Sequence, residues 1–182
     1  MSKPTVLEHR TEIRALLQEM AAAQFTDAEI DQALANALNV LSSYVPRSEK
    51  ITLSNLNPAQ CALDLTAEAP AESVLEVTPS GGTARYEFRA RGNELILMSP
   101  LGATSAEILF RSRFKHDGTN VEWYPPHLRG GVCLYAAALL ILGHARELVE
   151  TDYNKTIALT TLAGKLYDTA LATFGARAAQ NS

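Results

Sequence analysis

Gly130-Gly131-Val132-Cys133-Leu134-Tyr135-Ala136-Ala137-Ala138-Leu139-Leu140-Ile141-Leu142 is the stretch that decides the fold. From Val132 to Leu142 its only polar residue is Tyr135. A helix that is apolar all round needs neighbours on every side, which places it at the centre of a helical bundle. The run from Gly130 to Gly143 is short of the ~20 residues a membrane-spanning helix needs, and His144 and Arg146 follow at once. The spacing predicts a core helix over Val132–Leu148, entered through Pro125-Pro126-His127-Leu128, and the rest of the chain must supply its partners.

Partners stand on both sides. Downstream, Glu150-Thr151-Asp152 starts a last helix that continues to about Ala179, with Ile157, Leu159, Leu162, Leu166, Ala170 and Phe174 on its apolar stripe. Lys155, Lys165, Asp168 and Arg177 face away from that stripe. About 28 residues make roughly 40 Å of helix, so its end is expected to project beyond the core. Upstream, Val6, Ile13, Leu16, Leu17 and Met20 form one stripe on a charged segment. There Glu8 and Glu12 bracket His9 and Arg10 on what reads as a solvated face. A second helix opens at Phe25-Thr26-Asp27-Ala28-Glu29, where Thr26 is a good N-cap, Glu29 completes a capping box and Phe25 can staple onto Ile30. Ile30, Ala33, Leu34, Ala37, Leu38 and Leu41 continue it until Tyr44-Val45-Pro46, because the residue before a proline is pushed out of the helical region.

Between these helices the period changes from 3.6 to 2. Strands are expected at Lys50–Leu56, Cys61–Thr66, Ser73–Thr78, a run carrying Tyr86, Phe88 and Ala90, Glu94–Met98 and Ala106–Lys115. Asn57-Pro58, Pro79-Ser80-Gly81-Gly82 and Gly92-Asn93 separate them as turns. Short strands at that spacing argue for a small antiparallel sandwich or barrel. The fold class that follows is α+β: an antiparallel helical bundle with an inserted β-domain and a long projecting C-terminal helix. The expected limits are 1–48 for the first helices, 49–124 for the insert and 125–182 for the helices that complete the bundle.

Composition narrows the function classes. The chain has 182 residues, 16 Lys+Arg against 20 Asp+Glu, and a net charge of −4. It lacks the basic excess of a dedicated duplex-DNA binder, and it is too ordinary for a disordered or disulfide-stapled chain. Cys61 and Cys133 sit apart among apolar or small neighbours and read as buried free thiols. Met1-Ser2-Lys3-Pro4 leads into a charged segment with no signal-peptide pattern, which points to the cytosol of the producing cell.

Catalytic and metal motifs do not assemble. His9, His116, His127 and His144 have no partner at metal-ligand spacing. Asp27, Glu29 and Asp31 point in different directions on a helix and serve its N-terminal end. Asp117-Gly118-Thr119-Asn120 lacks the later ligands of a calcium loop and reads as a turn. Arg129-Gly130-Gly131 lacks a phosphate-loop context, so close packing of the helix start is expected. No catalytic, cofactor or metal residue is assigned. One constellation has a rival meaning: Arg85, Arg89, Arg91, Arg111, Arg113 and Lys115 fall on strands that could lie near each other, with Tyr86 and Phe88 interleaved. This mixture serves nucleic-acid-binding barrels. Alternation puts the aromatics on the face opposite the cations, so a charged solvent or subunit-contact face is favoured.

Phe25-Thr26-Asp27-Ala28-Glu29-Ile30-Asp31-Gln32-Ala33-Leu34 followed by Tyr44-Val45-Pro46 resembles the start of portal-adaptor (head–tail connector or head-completion) proteins of tailed bacteriophages. The run Gly130 to Leu139 is similar to that family's Gly/Ala-rich helix, and Leu162-Ala163-Gly164-Lys165-Leu166-Tyr167 with Phe174 resembles its long last helix. Larger members carry a β-insertion, where Glu94-Leu95-Ile96-Leu97 and Tyr124-Pro125-Pro126-His127-Leu128 look similar. The resemblance covers the chain from about Phe25 onward. It implies a structural role in the virion neck, assembled in the bacterial cytoplasm, without catalysis, cofactor or membrane. A ring of twelve copies under the portal would extend the DNA channel and present a surface to the next neck or tail-terminator protein. DNA would pass through the lumen without sequence-specific binding. The family's C-terminal segment grips the portal, which implies portal-binding roles for Phe174, Arg177, Gln180, Asn181 and Ser182. The alternative is a nucleic-acid-binding module using the Arg-rich insert.

Overall fold

The computed structural model describes residues 4–20, 25–45, 47–65, 71–80, 82, 84–122 and 124–175. They form four helices and two small antiparallel sheets: an α+β fold, with no closed barrel among them. The helices are α1 (Val6–Met20), α2 (Asp27–Tyr44), α3 (Arg129–Glu147) and α4 (Tyr153–Gly175). The strands are β1 (Arg47–Ser54), β2 (Ala62–Asp64), β3 (Val74–Pro79), β4 (Phe88–Arg91), β5 (Glu94–Leu97) and β6 (Ser105–Ser112). By packing the chain divides into a helical unit, 1–45 with 113–182, and a β-unit, 46–112.

In the helical unit α3 packs against α1, α2 and α4, as a helix without a polar face must. Val132, Ala136, Ala137, Ala138 and Ile141 are fully buried, together with Ile30, Leu34, Leu38 and Leu41 from α2 and Ala163, Ala170 and Phe174 from α4. By length and composition Pro126–Glu147 could cross a bilayer, but most of it is buried inside the protein. The capping box of α2 is formed: Thr26 Oγ1 accepts from the Glu29 amide, and the Thr26 amide donates to Glu29 Oε2 at 2.7 Å. The helix ends at Tyr44, and Val45 ahead of proline has left the helical region (φ −120°, ψ 88°).

Phe114, Val121 and Tyr124 also belong to this helical core. The β-unit therefore ends at Ser112, twelve residues before the expected limit at 124. The segment after it returns to the helices through the turn at Asp117, whose Oδ1 accepts from the amides of Thr119 (2.8 Å) and Asn120 (2.7 Å). Gly118 has φ +89° there, which glycine adopts without strain.

In the β-unit the strands pair as β1-β6-β3 and β2-β5-β4. Leu63, Leu95 and Leu97 from one sheet and Val77, Ala106 and Ile108 from the other belong to one apolar cluster. All six expected strands exist, but the fourth is short. At its expected beginning the Glu87 carbonyl still accepts from the Met98 amide just past β5 at 2.9 Å, but the Tyr86 amide donates to the Val77 carbonyl at 2.9 Å. The sixth ends at Ser112, since Phe114 leaves for the helical core. Thr66, expected at the end of the second strand, and Gly81 in the turn after the third lie outside the described residues.

Two burial expectations are corrected. Cys133 is buried but Cys61 is exposed, because it precedes β2 in the irregular connection after Pro58. His9 is not on a solvated face: it is 0% exposed, in line with Val6 and Ile13 on the buried side of α1.

Candidate functional site

The arginines of the insert are not gathered on one pair of strands. Arg89 and Arg91 lie on β4, at the edge of one sheet, while Arg111 lies on β6, at the centre of the other. Arg85 precedes β4 and pairs with Glu76 of β3 at 3.0 Å. Arg113 stands beyond the end of β6, in the helical unit. The register puts Arg91 opposite Glu94, with Asp64 next along the same row. On the other sheet Lys50 bonds Glu107 at 2.7 Å. Both sheets thus carry mixed charge. Tyr86 donates its hydroxyl to the Leu101 carbonyl, and its ring and that of Phe88 pack on the β core. Sequence alternation had put these aromatics on the side away from the cations.

Of the expected portal-binding residues, Arg177, Gln180, Asn181 and Ser182 lie outside the described residues. Phe174 is fully buried, 6.0 Å by ring centroid from Tyr44 and 6.4 Å from Tyr135. It presents no exposed side chain, and it works as a core residue joining α4 to α2 and α3.

The three acids of α2 are corrected as well. Asp27 and Asp31 are four residues apart and share one face, where they hold α1. Arg10 Nε donates to Asp31 Oδ1 at 2.7 Å and its Nη1 to Asp27 Oδ2 at 2.8 Å, while Arg14 also pairs with Asp27. The Arg10 hydrogen bonds hold the Asp31 carboxyl below the usual carboxylate range. Only Glu29 serves the cap. His116 Nε2 lies 3.3 Å from the Asp31 carbonyl. Among the described residues no group of three His, Cys, Asp or Glu could hold a metal ion.

The structure does assemble one polar cluster that the sequence did not reveal. His9 Nε2 lies 2.5 Å from the Tyr124 hydroxyl, and Nδ1 lies 2.7 Å from the Thr5 carbonyl. Beside them Arg129 donates through Nε to Glu12 Oε2 at 2.7 Å, and Cys133 is fully buried. A Cys, a His and a Glu together invite a nucleophile reading, but the electrostatics oppose it. Burial pushes the Cys133 thiol well above its ordinary value and holds His9 below its own. A neutral thiol without solvent access is a poor nucleophile. What this arrangement can do is tie α1 to the return segment and to the start of α3. The signal in the sequence was positional: residues 6, 9, 13 and 17 share one helical face, and the charged neighbours of His9 masked it.

The start of α3 is occupied from within. Gly131 meets α4 closely, as expected, and Arg129 already pairs with carboxylates of α1. His127 is exposed at the preceding turn. No family model matches the chain, and the search of curated proteins returns no match.

One further surface feature among the described residues is apolar. Tyr153 and Ile157, one turn apart at the start of α4, are 70% and 48% exposed, and Val149 in the turn before them is 51% exposed. Large side chains left in water at adjacent positions mark a contact surface more often than isolated ones do.

Proposed function

We propose that this chain is a structural subunit of a bacteriophage neck, forming a ring that joins the capsid portal to the tail and extends the DNA channel. In this reading the four helices are an antiparallel bundle, the β-unit is an inserted sandwich, and α4 with the residues after it reaches the portal. The subunit carries no catalytic role. Its partners are the portal, further copies of itself and the next neck or tail-terminator protein. The reading rests on the resemblance of the helical segments, and the observation that carries it is the exposed apolar pair Tyr153 and Ile157, one turn apart on α4, with Val149 exposed in the turn before it. A closed ring needs one complementary pair of patches repeated about its axis, and these exposed side chains are a candidate for one of them. Mixed charge on the β-unit faces and a net charge of −4 suit a channel through which DNA must slide.

The test is to mix the purified protein with portal-bearing capsids and image the vertex. A ring of added density beneath the portal is expected. The double variant Tyr153→Glu, Ile157→Glu should keep its unfolding temperature and lose the ring. Vertices that stay bare with the unaltered protein would overturn the assignment.

A further inference from the structure

One buried polar side chain joins parts of the helical unit that are far apart in sequence. His9 is 0% exposed, and both of its ring nitrogens are engaged. The Thr5 carbonyl can only accept, so Nδ1 carries the hydrogen. A neutral imidazole has a single N–H, which leaves Nε2 bare, and the Tyr124 hydroxyl donates to it. A second proton would enter at Nε2, where the Tyr124 hydroxyl must turn its hydrogen away and accept instead, and it would leave a charge in a site closed to water.

The same bond closes a backbone clasp. The Val6 amide donates to the Thr119 carbonyl at 2.9 Å and the Val121 amide to the Pro4 carbonyl at 2.9 Å, with Thr5 and Asn120 bridged between them. The N-terminal segment is therefore paired to residues 119–121 along the backbone and locked at Tyr124 by His9. The groups that face the imidazole come from three places. Thr5, Glu8 and Glu12 stand on its own side, Tyr124 on the return segment, and Arg129 and Cys133 on α3. Glu12 and Glu8 already hold the Arg129 guanidinium, at 2.7 and 3.5 Å.

We propose that His9 is the latch of an acid-released clasp: neutral, it holds the N-terminal helix on the return segment, and protonated, it lets Pro4–Leu17 lift away while α2, α3 and α4 stay folded. This inference does not depend on the neck assignment. Burial, with a smaller push from the Arg129 charge, holds the docked imidazole below the ordinary histidine range, against the pull of Thr5, Glu12 and Glu8. The detached helix carries a free histidine that takes its proton near pH ~6.5. Between the two values the detached state binds more protons. Docking is therefore fully favoured above that pH, and weakens by up to about tenfold per unit as pH falls below it, until the docked imidazole itself titrates.

Hydrogen exchange of the full chain at pH 7.5 and 5.5, corrected for the intrinsic rate, tests this against His9→Gln. Glutamine can donate to the Thr5 carbonyl and accept from Tyr124, but it does not titrate. The unaltered protein should lose up to about tenfold protection at Arg10–Leu17 on acidification, with no change at Leu134–Ile141. The glutamine variant should be flat, which separates His9 from the nearby His116. Equal loss in α1 and α3, no loss at all, or the same loss in the variant would overturn the clasp. If His9→Gln does not fold, an NMR titration of the unaltered protein decides. A bare Nε2 and a midpoint below free histidine support the latch, and a bare Nδ1 or an ordinary midpoint overturns it.

Discussion

At Gly131 the helices α3 and α4 approach so closely that a single added carbon matters. A Cβ there would lie 2.9 Å from Phe174 Cε1 and 3.1 Å from Thr173 Cβ and Cγ2. Phe174 cannot retreat, because it is fully buried against Tyr44 and Tyr135. Gly131→Ala is expected to destabilise the protein by about 1–3 kcal/mol through overpacking. Gly143 lies in the same helix but is exposed, with nothing within 4 Å of the corresponding Cβ. Gly143→Ala should stabilise by about 0.5–1 kcal/mol, since alanine loses less backbone freedom in a helix. Urea denaturation of the two variants should therefore give opposite signs from one chemical change. Equal effects would mean that α3 and α4 do not pack as described.

At the scale of elements, α2 shows what local chemistry can specify. Thr26→Ala removes the side-chain acceptor of the Glu29 amide and should cost about 1 kcal/mol, read from thermal unfolding. The Thr26 bonds hold the Glu29 carboxyl below its ordinary value. This part of the cap is thus complete above the usual glutamate range and is lost as pH falls through the lowered value. The difference between Thr26→Ala and the unaltered protein should therefore shrink on acidification, and a difference that grows would contradict the capping geometry. Such a cap is legible in sequence because all of its partners lie within four residues. The same holds for the stripe of α2, the turn at Asp117 and the existence of the six strands. Sheet order is not legible in this way. The β4–β5 hairpin is local, but that β6 sits between β1 and β3, and that β2 flanks β5, is decided by contacts dozens of residues apart. The expected arginine constellation failed on this point, since Arg89 and Arg111 read as neighbours only while the pairing of their strands was open. His9 was missed for a related reason. Its partner Tyr124 is 115 residues away, and nothing beside it in sequence announces a buried imidazole.

On the scale of the whole molecule the described residues form two hydrophobic cores, and the sequence reveals them unequally. The all-apolar run of α3 pointed to the helical core directly, whereas the end of the β-unit had to be read from Phe114, Val121 and Tyr124 joining the helices. Each core should respond to its own cavities. Ile108 of β6 and Ile141 of α3 are both fully buried, one in each core. Truncating either to alanine removes comparable apolar volume and should cost about 2–5 kcal/mol within its own unit. The two units join at Val45 and Arg113, and among the described residues none belongs to both apolar clusters. Cooperativity is carried by packed side chains, so units without a common core are expected to open separately. Ile108→Ala should accelerate exchange of the amides in β1, β3 and β6 and leave Val132–Ile141 protected. Ile141→Ala should do the reverse. If either substitution lowers protection in both units to the same degree, the chain unfolds as one body and the division at Ser112 has no energetic meaning. If each effect stays local, the β-unit can be cut, exchanged or displaced without loss of the helices. That is the property an insert must have if it is to adapt to a neighbour while the helical core keeps its shape.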